Sequence, residues 1–295
     1  MLDKSEGVVI ALGYFDSVHL GHRKVIENAT SLAKELNAKP IVFTFSGNLK
    51  GAINGASDTS IYTIEERVAI LKEIGIENVY SAPVTKEFLN LSASQFLDKL
   101  NSDLNIKGYA TGSDYRFGCK GQGDIESLKE YASKKGQVVV VTQTEMVKGE
   151  KVSTSLIKKL LTQGDIQTAN TLLVRNYSIT GQVYKDRKVG AKLGFPTVNL
   201  KMDIDKHEIK PAVYYGRVYV DGVYYKAIIN YGARPTFSLK EKVLEAHLIN
   251  FNGDLYGKTL TVFFDGFLRE IKTFSNGEEL KSQLKKDLIK AMESI

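Results

Sequence analysis

Two histidines three residues apart, His19 and His22, stand in GYFDSVHLGH, in a chain that has four histidines in all. Gly21 between them lets a ligand lie close against the backbone. A helix opening here would aim unpaired N–H groups and a positive dipole end at the same place, which favours phosphate. Imidazoles on one face could then donate hydrogen bonds to phosphate oxygens as charge builds in a displacement at phosphorus. Spacing alone leaves an incidental pair, half a metal site and a phosphate clamp all open. No cysteine cluster or nearby acid pair completes a zinc site. A second constellation is LGFPTVNL, residues 193–200. Pro196 favours an extended approach, so Thr197 and Asn199 face one side. Their neutral oxygens suit a magnesium ion that ATP phosphates also bind, although a plain strand entry with polar residues facing water reads the same way. A third is Glu245 in VLEAHLINF. Carboxylates on strands usually face solvent, but a kinase acting on an alcohol needs a base beside the attacking hydroxyl.

The elements that must position these residues come in two rhythms. VVIAL (8–12) reads as a buried strand and 20–37 as a helix with apolar positions at Val25, Ile26, Ala29, Leu32, Ala33 and Leu36. PIVFTF is strand-like, and 63–75 is a helix with Thr63 and Glu66 as a capping box and Gly75 as its stop. NVYSA, SASQFLDKLNSDL, KGYATG, DIESLKEYASKKG and QVVVVT continue the alternation, which predicts a parallel sheet covered by helices on both faces. STSLIKKLLTQGD and IQTANTLLV predict two short helices. From Tyr177 onward six strands follow almost without helices, with Asp-Gly at 221–222 as a tight hairpin turn. Short turns between them suggest a small closed barrel, ended by one helix, NGEELKSQLKKDLIKAMES. The change of rhythm divides the chain into domains 1–174, α/β, and 175–295, all-β.

The totals fit a soluble globular protein: 295 residues, 43% hydrophobic, 25% charged, net charge +6 and one cysteine, Cys119. No apolar run is long enough to span a bilayer, and the N-terminus is a poor signal peptide. The mild positive charge suits anionic small ligands and would tolerate nucleic acid. A nucleotide- or RNA-binding regulator is a reading of another class, but basic residues are scattered and no RNA-module signature is present. The oligomeric state stays open.

GYFDSVHLGH resembles the phosphate-binding signature of the HxGH nucleotidylyltransferases. With the second half included, residues 7–290 resemble the bacterial bifunctional riboflavin kinase/FMN adenylyltransferase (FAD synthetase) family. The resemblance implies a Rossmann-like nucleotidylyltransferase domain followed by a kinase barrel, both using Mg-ATP, with riboflavin, FMN and ATP as the partners. It implies no nucleic acid or membrane partner and a place in the cytoplasm. It implies that His19 and His22 assist adenylyl transfer, with Gly13, Phe15, Asp16, Gly21, Ser153, Thr154, Ser155 and Lys158 at ATP. GSDYRFG (112–118) matches the second signature, implying Asp114, Arg116 and Phe117 at the flavin; a turn between strand and helix would use the same residues. In the second half LGFPTVN resembles the riboflavin kinase signature. That implies Thr197 and Asn199 at Mg-ATP, Glu245 as the base for the ribityl 5′-hydroxyl, Gly190 and Lys192 in the ATP flap, and Asn230, Arg234 and Arg269 near the flavin. The C-terminal helix, with Gln283 and Asp287, matches as well.

The departures are specific. Ser17 replaces the glycine of the family's Phe-Asp-Gly-Val-His. Ser46, Gly47 and Asn48 stand where the family carries Pro-His-Pro. Lys158 replaces an arginine, keeping the charge and losing the bidentate fork. LLVRNY (172–177) replaces Leu-Leu-Gly-Arg-Pro-Tyr, and the flap KDRKVGAK keeps only Gly190. The kinase motifs are the better preserved, so the alternative to a bifunctional enzyme is a riboflavin kinase with a degenerate adenylyltransferase domain.

Overall fold

A computed structural model describes residues 4–47, 49–54, 59–185, 194–203, 205–233 and 242–294. Asn48, Gly190, Lys192 and Arg234 lie outside the described residues. The first unit runs β1 (Gly7–Leu12), α1 (Leu20–Glu35), β2 (Lys39–Phe45), α2 (Leu49–Asn54), α3 (Ile64–Glu73), β3 (Asn78–Ala82), α4 (Lys86–Leu89), α5 (Ala93–Asp103), β4 (Asn105–Gly112), α6 (Ile125–Lys134) and β5 (Val138–Thr142). Its strands pair in parallel in the order β3-β2-β1-β4-β5. β1 is buried on both faces. Val8, Ile10 and Leu12 join a core with Phe96, Leu97 and Leu100 of α5 and Leu128 of α6. Val9 and Ala11 are equally buried, and α1 packs on β1, β2, β4 and β5. A strand enclosed in this way must be apolar throughout, as VVIAL is. Thr63 caps α3 with Glu66 in a reciprocal box, and Gly75 turns left-handed (φ +91°) just beyond its end, as the sequence predicts. The short helices α2 and α4 were not expected, since so few residues show no periodicity.

A two-stranded hairpin, β6 (Met146–Val147) with β7 (Glu150–Lys151), leads to α7 (Thr154–Gln163) and α8 (Ile166–Leu173). Six strands then follow: β8 (Ser178–Tyr184), β9 (Val198–Lys201), β10 (Ala212–Val220), β11 (Val223–Ala233), β12 (Lys242–Leu248) and β13 (Thr259–Arg269). They close into an antiparallel barrel in the order β10-β11-β12-β9-β8-β13. Asp221 and Gly222 both adopt positive φ between β10 and β11, the geometry of a tight two-residue turn. Tyr214, Ile229, Leu244, Ala246 and Phe264 are fully buried within the barrel unit. Gly216 permits the β10–β13 approach, because a Cβ there would overlap the carbonyl oxygen of Phe263. The last helix, α9 (Gly277–Ser294), lays Ala291 and Leu288 against Val213, Ile228 and Leu268 of the barrel wall.

The compact units are Met1–Thr154 and Ser155–Ile295. The sequence rhythm changes at 174/175, but packing divides the chain earlier, because α7 and α8 belong with the barrel. The Lys210 amide donates to the Leu161 carbonyl at 3.0 Å. The Asn170 side chain donates to the Phe264 carbonyl at 2.8 Å and accepts from the Tyr177 amide at 2.7 Å.

Candidate active sites

In the first unit, β1 lies at the centre, the chain builds outward through β2 and β3, and then crosses to β4 on the other side. The switch point of this sheet is therefore beyond the C-terminal ends of β1 and β4, where open α/β sheets hold ligands. GYFDSVHLGH leaves β1 there and GSDYRFG leaves β4. His19 is the N-cap of α1, and its Nδ1 accepts from the His22 amide at 3.1 Å. That bond fixes the neutral ring with its proton on Nε2. The His22 ring stacks on it with centroids 3.6 Å apart, and Phe15 meets His22 edge-on at 5.1 Å. Burial pushes the His19 pKa down to about 4. Burial, with the nearby His19 and Arg67, holds His22 well below the ordinary histidine range. Both rings are thus neutral at pH 7 and act as hydrogen-bond donors rather than cations. A Cβ on Gly21 would press the His19 ring at 3.3 Å, so Gly21 makes room for the imidazole as well as for a ligand. The turn carries strain that only a tightly packed loop holds: Phe15 and Val18 are buried at φ 50° and 46°.

Asp16, expected at ATP, is buried inside the unit. Its Oδ1 accepts from the Ile61 amide at 3.1 Å and lies 3.9 Å from the Arg67 guanidinium. Arg67 was missed by the sequence reading. Its Nη1 donates to the Tyr14 carbonyl at 3.0 Å and to Thr44 Oγ1 at 2.8 Å, and its guanidinium covers the Tyr14 ring at 4.7 Å. The signal was present: Arg67 sits three and four residues before Ile70 and Leu71, on the buried side of α3. Gly13 lies against the Phe15 ring, where a Cβ would come within 2.8 Å. In the segment that departs from the family's Pro-His-Pro, the Tyr14 hydroxyl reaches the Gly47 carbonyl at 3.3 Å and Ser60 Oγ at 3.1 Å.

The other phosphate motif is partly brought in. Ser17, fully buried, has its Oγ 3.1 Å from Thr154 Oγ1 at the start of α7. Ser153 is half-buried before it, and Ser155 and Lys158 follow on α7. Asp114 is exposed and paired with Lys151 Nζ of β7 at 2.5 Å, which holds its carboxyl below the usual range. Lys151 too was missed. Arg116 is exposed and lies 3.6 Å from Asp124. Phe117 is a core residue, 4% exposed, against Phe96 and Tyr115. Gly118 is left-handed (φ +73°), and a Cβ there would sit 2.7 Å from the Ala93 amide nitrogen. The turn after β4 thus presents Asp114 and Arg116 outward and anchors itself through Phe117 and Gly118.

In the barrel, register assembles the second site. Arg269 pairs with Val213, Val213 with Asn230, Asn230 with Glu245, Glu245 with Asn199, and Asn199 with Tyr184. Directly paired residues share a face, so Asn230, Glu245 and Asn199 form one row on the face opposite Leu244 and Ala246. Val213 of that row packs against α9, which makes this the outer wall of the barrel. Asn199 is buried and Glu245 half-buried. His247, two residues on, donates from Nδ1 to the Pro196 carbonyl at 2.8 Å and meets the Phe195 ring edge-on at 5.3 Å. It fastens the segment that carries half-buried Thr197. The Arg269 fork grips Asp287 of α9 at 2.7–3.1 Å, with Gln283 on the same carboxylate at 2.8 Å. Both partners of this pair are largely buried, so Arg269 anchors the C-terminal helix. Asn199 and Glu245 of the row, with Thr197 two residues before Asn199 in the chain, carry hard oxygens that suit magnesium shared with phosphates. Among the described residues no group of three His, Cys, Asp or Glu could hold a metal by itself.

Two family models match: "FAD synthetase" over residues 2–156 and "Riboflavin kinase" over 173–295. The chain belongs to the bifunctional riboflavin kinase/FMN adenylyltransferase family. Relatives so named include that of Bacillus subtilis (strain 168), 32% identical with 95% of this chain and 90% of the relative covered. The Escherichia coli (strain K12) relative is 29% identical, with 98% and 93% covered. A solved structure from Streptococcus pneumoniae, described as a macrolide-efflux protein, is 27% identical and superposes with a TM-score of 0.90, covering 99% of this chain and 95% of that one. Among the described residues no helix is long and apolar enough to cross a membrane. Both catalytic domains of the family are present, so the kinase-only alternative raised by the sequence departures is not supported.

Proposed function

We propose that the chain phosphorylates riboflavin to FMN on the barrel and adenylylates FMN to FAD at the switch point of the sheet, each with Mg-ATP, in the cytoplasm. Residues 1–174 carry the second activity and 175–295 the first, although α7 and α8 pack with the barrel. In the kinase step Glu245 takes the proton of the 5′-hydroxyl as its oxygen attacks the γ-phosphorus and ADP leaves. Thr197 and Asn199 would hold magnesium, which supplies charge neutralisation at the phosphates. Asn230 lies beside the base, and Gly190, Lys192 and Arg234 complete the site by resemblance. In the adenylyl step the FMN phosphate attacks the α-phosphorus and pyrophosphate leaves. Neutral His19 and His22 donate to the charge that develops on the phosphoryl oxygens, with Gly13, Gly21, Ser153, Thr154, Ser155 and Lys158 around the triphosphate. Asp114 and Arg116 face the flavin.

The observation that carries this reading is the pair of juxtapositions: stacked histidines at the switch point, and the Asn230–Glu245–Asn199 row on the barrel. Two variants of the full chain test it by chromatography of flavin products. Glu245→Gln is expected to cut riboflavin phosphorylation about 100-fold or more while FAD still forms from added FMN. His22→Ala is expected to do the reverse. If either variant lost both activities equally, or neither, the assignment of the two sites would be wrong.

A further inference from the structure

The phosphate loop after β1 and the start of α7 are far apart in sequence and meet through two hydroxyls, Ser17 Oγ and Thr154 Oγ1, 3.1 Å apart. Ser17 is fully buried, so its hydroxyl has no access to a ligand. It sits between Asp16, bound to the Ile61 amide, and Val18, held at positive φ. Its only direction of use in the fold is therefore inward, toward the second segment. Thr154, by contrast, is half-buried and stands beside half-buried Ser153 in the second hydroxyl-bearing segment. Each segment alone offers part of a polyphosphate cradle, and the cradle works only if the two parts keep a fixed spacing.

We propose that Ser17 is a positioning residue of the adenylyltransferase site, whose buried hydroxyl holds Thr154, at the end of the first unit, against the loop that carries His19 and His22. This rests on the reading of that site as the triphosphate-binding one. The lock acts on ATP binding before any bond changes at phosphorus. Its loss therefore appears in the KM for ATP, and the chemical step on bound ATP is largely spared. One neutral hydrogen bond of about 1 kcal/mol corresponds to roughly a fivefold effect.

The test measures FAD formation from saturating FMN with the full chain as Ser17→Ala, Thr154→Val, Thr154→Ser and the Ser17→Ala/Thr154→Val double variant. Riboflavin phosphorylation by the same preparations reports folding. Ser17→Ala is expected to raise the KM for ATP about three- to tenfold with kcat changed less than twofold. Thr154→Ser, which keeps the hydroxyl, is expected to recover most of the ATP affinity lost in Thr154→Val. The double variant is expected to be no worse than Thr154→Val alone, since the second deletion removes a bond already lost. An unchanged KM in Ser17→Ala, or effects that multiply in the double variant, overturns the proposal while the site reading stands. A wild-type chain that makes FMN but no FAD overturns the site reading and the proposal with it.

Discussion

His19 and His22 are neutral because burial makes charging them costly, and His19 Nδ1 is already engaged as an acceptor for the amide of His22. The consequence for acid stability has a definite sign. The unfolded chain binds a proton at each histidine near pH 6.5, whereas the folded chain resists until about pH 4 at His19. The unfolded state therefore holds more protons in that window, and stability falls as pH drops from about 6.5 toward 4. His19 alone contributes about 3 kcal/mol at full extent. Chemical denaturation between pH 7 and 4.5 should show this loss, and His19→Asn should flatten the slope; an unchanged slope would mean that the ring is charged in the fold. The histidine spacing was legible in the sequence because it is local. Arg67 was legible only as a position on the buried side of α3, and Lys151 not at all, because their partners, Tyr14, Asp16 and Asp114, lie far away in the chain.

At the level of elements, the β1-to-α1 turn is held from below. Arg67 on α3 binds the Tyr14 carbonyl and balances buried Asp16. Replacing it by methionine keeps much of the volume but leaves Asp16 buried beside an apolar chain. Such a change should cost about 3 kcal/mol or more and lower FAD formation with little effect on FMN formation. Urea unfolding and product assays check both. The strands and long helices were readable from periodicity and capping boxes. The row on the barrel wall was only half readable: alternation along 243–251 puts Glu245 and His247 on one side, but pairing with Asn199 and Asn230 depends on register across three strands. For the same reason Arg269, matched to the flavin by resemblance, could not be seen as the partner of Asp287.

Over the whole molecule, the rhythm of the sequence and the packing of the chain disagree about where the barrel unit begins. The alternation of strands starts at Tyr177, yet Leu161 and Asn170 supply hydrogen bonds to Lys210, Tyr177 and Phe264. A fragment 155–295 should therefore unfold at a distinctly higher temperature than 175–295, which loses α7 and α8 and leaves the Phe264 carbonyl and Tyr177 amide without Asn170. Calorimetry of the two fragments decides this, and equal melting would make the helices mere connectors. Fold class was legible here because two hydrophobic periods, one helical and one of alternating strands, occupy separate halves of the chain.

The row Asn230–Glu245–Asn199 has an implication for how this barrel tolerates insertions and deletions. Its chemistry is stored as parity. Adding or removing one residue within β12 would turn Glu245 into the apolar interior and swing Leu244 or Ala246 out to the outer wall, so the proposed base and the core would be lost in a single event. Two residues would restore the facing and leave the carboxylate one step along the wall. Length changes in this strand should therefore survive only in even numbers, while the segment between β12 and β13 is under no such arithmetic.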